Sequence, residues 1–240
     1  MKMQKWQVIA VDLITFQLVC VVMQSNSAAR DRSFDFMENF GLMAKDFDTD
    51  KRIERAKIIS DEIRLRISGG HVKSALEYGC GTGLVGIQLI NDVNSLLFVD
   101  SSEAMIEQVK LKLRRLGKPS DYATCHDFME DVPQNIRVDY IFSVLVLHHI
   151  KDTKAILSRL YSILNEKGHF IMVDINADDG SFHAKYPDFD GHHGFGQTTL
   201  TSLAIEVGFN KVDIKTFYHG NKTVGDKTNP YSLFILDAVK

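Results

Sequence analysis

The chain reads as an α/β protein: a doubly wound, mostly parallel seven-stranded sheet with a reversed C-terminal strand. Three observations predict this. From residue 72 onward, short apolar runs alternate with segments whose apolar residues recur at helical spacing. The run Asp139–Leu145 is apolar throughout, as a strand buried on both faces of a parallel sheet is. The last two runs, Val212–Phe217 and Tyr231–Val239, have no helical segment between them, and so are most simply antiparallel.

The elements follow in order. Asp48-Thr49-Asp50 offers a helix cap, and Ile53, Ala56, Ile59, Ile63 and Ile67 then recur at helical spacing up to Gly69-Gly70. Ser74–Tyr78 is the first strand and Leu84–Ile90 its helix. Ser95–Val99 is the second strand, followed by a helix with Met105, Ile106, Val109, Leu113 and Leu116 on one face. Tyr122–Cys125 and Asp139–Leu145 are strands three and four. Ile156, Leu157, Leu160, Ile163 and Leu164 mark a helix stopped at Gly168, and His169–Asp174 is the fifth strand. A loop rich in histidine and glycine, residues 176–197, leads to a helix over Thr199–Val207, ended by Gly208.

Composition bounds the function. A length of 240 residues, 45% hydrophobic and 25% charged, suits one globular domain with a helical extension. A net charge of -3 leaves no global basic field, so no nucleic-acid partner is expected. Lys110, Lys112, Arg114, Arg115 and Lys118 alternate with Val109, Leu111, Leu113 and Leu116, and read as the solvated face of an amphipathic helix. Cys20, Cys80 and Cys125 are odd in number and unpaired in spacing, which argues against a disulfide framework or zinc cage and fits a reducing cytosol. Trp6 to Met23 is largely apolar after Lys2 and Lys5, the outline of a signal peptide, yet Gln7, Asp12 and Gln17 interrupt it. A signal or anchor, a packed segment, and residues upstream of a start at Met37 all stay open. The expectation is a cytoplasmic protein without a membrane partner.

The most informative stretch is Glu77-Tyr78-Gly79-Cys80-Gly81-Thr82-Gly83, where a strand runs into a glycine-rich turn and then a helix. Such glycines let backbone approach a ligand with no Cβ in the way. Glu77, Asp100 and Asp127 stand at or after the first three strand ends, in register with that turn. Asp100 can accept from two ribose hydroxyls, Asp127 from an adenine amine, and Glu77 suits an ammonium group. A pyrophosphate would want amide donors free of such acids, and a dinucleotide loop wants its third glycine where Leu84 stands. An acceptor-rich site fits a donor-rich ligand.

From about residue 72 to Lys240 the chain resembles class I S-adenosylmethionine-dependent methyltransferases of the small-molecule type. The likeness lies in Leu76 to Gly83, in Phe98-Val99-Asp100-Ser101-Ser102, and in Asp139 to Ser143 leading to Leu147-His148-His149-Ile150. It continues in Leu164 to Phe170 and in Val207-Gly208-Phe209. The resemblance implies a Rossmann-like fold and S-adenosyl-L-methionine as cofactor. Gly79, Cys80, Gly81 and Gly83 would then lie under its methionine part, with Glu77 nearby. Asp100 and Ser101 would hold the ribose. Met105, Asp127 and Phe128 would border the adenine, and Ser143 and Val144 the transferred methyl. Residues 1–30 would be an extension of open status, 31–71 a helical lid segment carrying Phe47, and 72–240 the catalytic domain.

Methyl transfer needs alignment above all, and a base where the acceptor must lose a proton. His148 and His149, after the fourth strand, are the candidates, with His148 facing inward. His183, His192 and His193, with Tyr186 and Phe195, belong to the substrate-side loop. A zinc site there with Asp190 is not expected, because adjacent histidines are poor ligand spacing. Nucleic-acid amino-methyltransferases carry Asn/Asp-Pro-Pro-Tyr/Phe where this chain has Ser143-Val144-Leu145-Val146, which points to a small-molecule methyl acceptor. The alternatives are a cofactor-binding protein of this fold without turnover, and an NAD-dependent oxidoreductase.

Overall fold

The structure is a computed structural model, and it describes residues 43–67, 73–125 and 136–240. The cap at residues 48–50 opens helix α1, Asp50–Ile67, which buries Ala56, Ile59, Ile63 and Ile67 as the spacing requires. Ile53 is the exception: it is 43% exposed, on the face turned to solvent. Strand β1, Ser74–Tyr78, has the expected bounds. Helix α2 shrinks to Gly86–Leu89, because the residues before it are used in the turns of the glycine loop.

Strand β2 is Ser95–Asp100 and helix α3 is Glu103–Arg115. The Ser102 hydroxyl caps α3 by accepting from the Met105 amide. Met105, Ile106, Val109 and Leu113 are buried on α3, whereas Leu116 lies beyond its end and is exposed. Strand β3 is Ala123–Cys125, entered through a single 3-10 turn at Ser120–Tyr122, and β4 is Val138–Val144. Helix α4 covers Thr153–Ile163, with Asp152 accepting from the Ala155 amide. It stops earlier than Gly168: Leu164 already begins β5, Leu164–Ile175, and Lys167 turns the chain with φ +63°. Helix α5, Gln197–Val207, ends at Gly208.

The final strands are longer than their apolar cores suggest. They are β6, Lys211–Val224, and β7, Lys227–Val239, paired along the whole hairpin with a one-residue register shift between Thr216 and Tyr218. Their outer halves are polar, so periodicity alone hid them. The sheet order is β3-β2-β1-β4-β5-β7-β6. Pairing is parallel from β3 to β5, and β7 runs antiparallel to both neighbours, as expected.

Successive strand residues point to opposite faces, and each face has its own core. Phe98, Phe142, Ile171 and Ile235 pack with α1, α2 and α3, while Ile141, Phe170, Met172 and Phe234 pack with α4 and α5. Each such side chain, fully removed from water, contributes roughly 1.5–3 kcal/mol. The parallel strands therefore hold β1, β2 and β4 firmly side by side. Their carboxyl ends form one edge where loops converge. Among the described residues no helix is long and apolar enough to cross a membrane; Trp6 to Met23 lies outside them.

Candidate active site

The glycine loop leaves β1 and turns sharply. Gly79 has φ +68° and Gly81 φ +52°, conformations that side chains resist. A Cβ on Gly79 would sit 2.5 Å from Val146, so that glycine serves packing between the loop and the turn after β4. Gly81 differs. A Cβ there would meet nothing nearer than the Phe47 ring at 4.0 Å, so the space above it is an open cradle.

Asp100 fixes the cradle from β2. One carboxyl oxygen accepts from the Gly81 amide at 2.8 Å and the other from the Ser102 amide at 2.9 Å. Burial raises its pKa, opposed by those amide donors. Each oxygen keeps lone-pair capacity for a further donor. Glu77 lies lower. It is 2% exposed, beneath the loop, and accepts from the Gly86 amide at 3.1 Å. Burial pushes its carboxyl up to about 8, and the negative charge of Asp100 adds to the rise. Glu77 is therefore protonated at neutral pH and braces the loop from below. Cys80 is also buried, Ser101 is exposed, and Met105 sits in the core. Asp127 and Phe128 lie outside the described residues.

A latch missed by sequence reasoning closes this side. The Asp48 carboxylate accepts from the Thr82 hydroxyl and pairs with Lys112 at 2.6 Å, while Lys112 also donates to the Thr82 carbonyl at 2.6 Å. Lys112 thus leaves the solvated face assigned to it and ties α3 to the segment before α1. Phe47, next to Asp48, is held under the Arg52 guanidinium, 4.0 Å from its ring centre.

On the other side, β4 ends at Val144, one residue earlier than its apolar pattern. Leu145 takes φ +58° and donates its amide to the Val173 carbonyl. A leucine in that conformation stores strain, and here it starts the turn that carries the histidines. Ser143 is 1% exposed and its hydroxyl has no hydrogen-bond partner. Beyond it, His148 and Asp174 are both buried, with Nδ1 and Oδ1 2.6 Å apart. Asp174 also accepts from the Ile175 amide at 2.8 Å and the His148 amide at 3.2 Å. With backbone donors already on both oxygens, the His148 Nδ1–H is the donor and Nε2 is left as the acceptor. Asp174 stands one residue before the end of β5, while Asp100 is the last residue of β2; an acid at the end of an apolar run was the signal available for it.

His149 packs tilted against His148 at 3.9 Å between ring centres, and burial holds its pKa well below the ordinary value, reinforced by His148. His183 lies 5.2 Å from His148 and stacks on Phe189 at 3.7 Å; burial brings its pKa down to about 3. Neither ring nitrogen of His183 has a hydrogen-bond partner, at 3% exposure. His192 is structural by its contacts, donating its amide to the His148 carbonyl at 2.7 Å and placing Nε2 3.0 Å from the Ile150 carbonyl. Phe195 joins the opposite core face.

The comparisons with known proteins agree with this geometry. A family model described as a methyltransferase domain matches residues 51–214. An uncharacterised methyltransferase of Schizosaccharomyces pombe is 25% identical over 178 residues, 67% of this chain and 63% of that protein. A malonyl-[acyl-carrier protein] O-methyltransferase of Ilyobacter polytropus is 30% identical over 138 residues, 55% of this chain and 48% of its own length. The chain spans about half to two thirds of the length of such curated relatives. In fold it is similar to the Synechocystis magnesium protoporphyrin IX methyltransferase with bound S-adenosylmethionine, at TM-score 0.62 and 17% identity, covering 90% of this chain and 100% of that one.

A fold and loop of this kind define a class I S-adenosylmethionine-dependent methyltransferase domain. The chain belongs to the methyltransferase-domain family. The residues present suit that cofactor: an open cradle over Gly81, spare acceptor capacity on Asp100, and an unpartnered hydroxyl on Ser143.

Proposed function

We propose that this chain moves the methyl group of S-adenosylmethionine to an O, N, S or C atom of a small-molecule acceptor. One observation carries the reading: a buried His148–Asp174 pair, 2.6 Å apart, stands beside the glycine loop. The link is physical, since Val146, two residues before His148, fills the space against Gly79. The cofactor, when bound, supplies an electrophilic methyl on a sulfonium, so the protein has to align the acceptor and keep water out.

The chain's own residues divide that work. Asp100 holds the ribose, the Gly81 cradle receives the methionine part, and Glu77 supports the loop from beneath. Phe47 covers the cradle while the Asp48–Lys112 pair keeps its segment in place. Ser143 and Val144 border the reacting methyl. Asp174 fixes the His148 ring with Nδ1–H inward, leaving Nε2 to take a proton from the acceptor. His149, kept neutral by burial, adds an uncharged wall.

Incubation of the full chain with methyl-labelled cofactor and a metabolite extract tests the reading. A labelled small molecule formed by the wild type and not by Asp100→Ala is the expected result. Binding of S-adenosylhomocysteine with no label transferred to any fraction would instead make the chain a cofactor-binding protein. Tight NADH binding without S-adenosylhomocysteine binding would make it an oxidoreductase.

A further inference from the structure

The net charge of the chain is negative, yet the ground beside the histidines is cationic. Arg52 and Arg55 project from α1, and Lys222 from the outer half of β6. Three elements distant in sequence meet here. The Arg55 guanidinium donates to the Tyr231 hydroxyl at 3.1 Å. The Tyr231 ring lies 5.0 Å from Phe182, and Lys222 Nζ sits 3.8 Å above that same Phe182. Phe182 in turn packs 5.0 Å from His183, the histidine whose two ring nitrogens have no partner. The series of contacts therefore runs from the cations to within one ring of His148.

None of Arg52, Arg55 or Lys222 forms an ion pair among the described residues. The acids close by are engaged elsewhere or exposed. Asp48 pairs with Lys112 at 2.6 Å, Asp178 accepts from the Gly180 and Phe182 amides, and Glu54 faces solvent. The Asp178 carboxylate offsets part of the field at Lys222, but the cations there outnumber it, and half-burial strengthens their repulsion. Lys222 shows the consequence: burial lowers its pKa to about 8, with Arg55, Arg52 and Lys185 lowering it further and the Asp178 carboxylate opposing them. Such a cluster is costly unless an anion completes it. A cavity of about 340 Å³ shares Tyr231 with this cluster, but its lining includes the Asp178 carboxylate and none of the three cations. The anion would therefore sit on the cation side of Tyr231 rather than in that cavity.

Arg52, one turn away from Arg55 on α1, adds positive charge while it holds Phe47. We infer that Arg55 and Lys222 form an anion subsite beside the histidines, and that the methyl acceptor is a small acid carrying a carboxylate or a phosphate. The second half of that statement rests on the methyl-transfer reading; the first does not. The Tyr231 hydroxyl and the unpartnered nitrogens of His183 supply neutral contacts between the anion and the reacting end. Guanidinium groups favour paired oxygens, which both carboxylate and phosphate present.

Thermal melting of the full chain tests this with inorganic phosphate and malonate as probes, against chloride at equal ionic strength. Either probe should raise the melting temperature by about 3–5 °C at a tenfold excess over its Kd. A response to phosphate alone makes the acceptor a phosphate ester, and a response to malonate alone a carboxylate. Lys222→Met, which keeps an apolar stem on Phe182, and the double change R55A/K222M should lose that rise while keeping the shift given by S-adenosylhomocysteine. Neither probe acting, or both variants responding like wild type, overturns the subsite and leaves methyl transfer standing. An intact anion response with no S-adenosylhomocysteine shift supports the subsite and removes the methyltransferase reading.

Discussion

The two sides of the sheet edge are built by different means. On the cofactor side, five consecutive residues, Gly79 to Gly83, set the shape through backbone conformation, and one acid from the adjacent strand fixes it. On the acceptor side, side chains arrive from α1, β4, β5, the loop over residues 176–197 and the β6–β7 hairpin. Their charge also differs: carboxyl groups gather under the loop, histidines and cations opposite. A backbone cradle tolerates few changes, because a Cβ at Gly79 already collides with Val146. An assembly of side chains from five elements can be rebuilt one contact at a time. Under the proposed function, the shared chemistry belongs to the first side and acceptor choice to the second.

That division can be broken most directly at His148. His148→Ala and Asp174→Asn should each lower kcat for methyl transfer about 10²- to 10⁴-fold, the range for losing a general base. S-adenosylhomocysteine affinity should stay within about twofold, the lower end of ordinary mutational scatter. Calorimetry showing parallel loss of affinity would mean that the two sides are not separate. Asp100→Ala sharpens the comparison from the opposite direction. It removes charge-assisted hydrogen bonds and should weaken S-adenosylhomocysteine about 10- to 100-fold, while the anion-induced melting shift persists.

A separate effect, read in stability rather than in activity or affinity, concerns the brace under the loop. Glu77 binds its proton more tightly in the folded chain, about 8 against an ordinary 4.5. Its stabilisation is complete below pH 4.5 and is lost as pH rises through about 8. The loss amounts to up to about 1.4 kcal/mol per pH unit across that window. Urea unfolding of Glu77→Gln should show a flatter dependence over the same range. An unchanged slope would place the charge of Glu77 in contact with solvent.

Legibility followed the same boundary. Strand β1, the glycine loop after it and Asp100 at the end of β2 could be read directly, since each is marked by the apolar run it follows or closes, though Asp100 meets Gly81 across 19 positions. Gly168 misled, because a turn within β5 uses the same glycine that a helix end would. Lys112 read as surface because helical spacing places it among other lysines and arginines, whereas its partner Asp48 stands 64 residues earlier by sequence number. Ile53 fits the apolar period of α1 and still faces water; the extent of each helix face is set by what packs on it.

The order of strands and helices, the reversed final pairing, the glycine turn and its acid were determined by the sequence alone, since spacing of apolar residues and backbone freedom are local properties. Only the tertiary structure decided that His148, rather than His149, pairs with Asp174, that Leu145 turns left-handed to present them, and that Arg55 and Lys222 converge on Tyr231 and Phe182. These are meetings of side chains separated by 26 to 176 positions. No period along the chain records which of many possible partners a folded sheet will bring within reach.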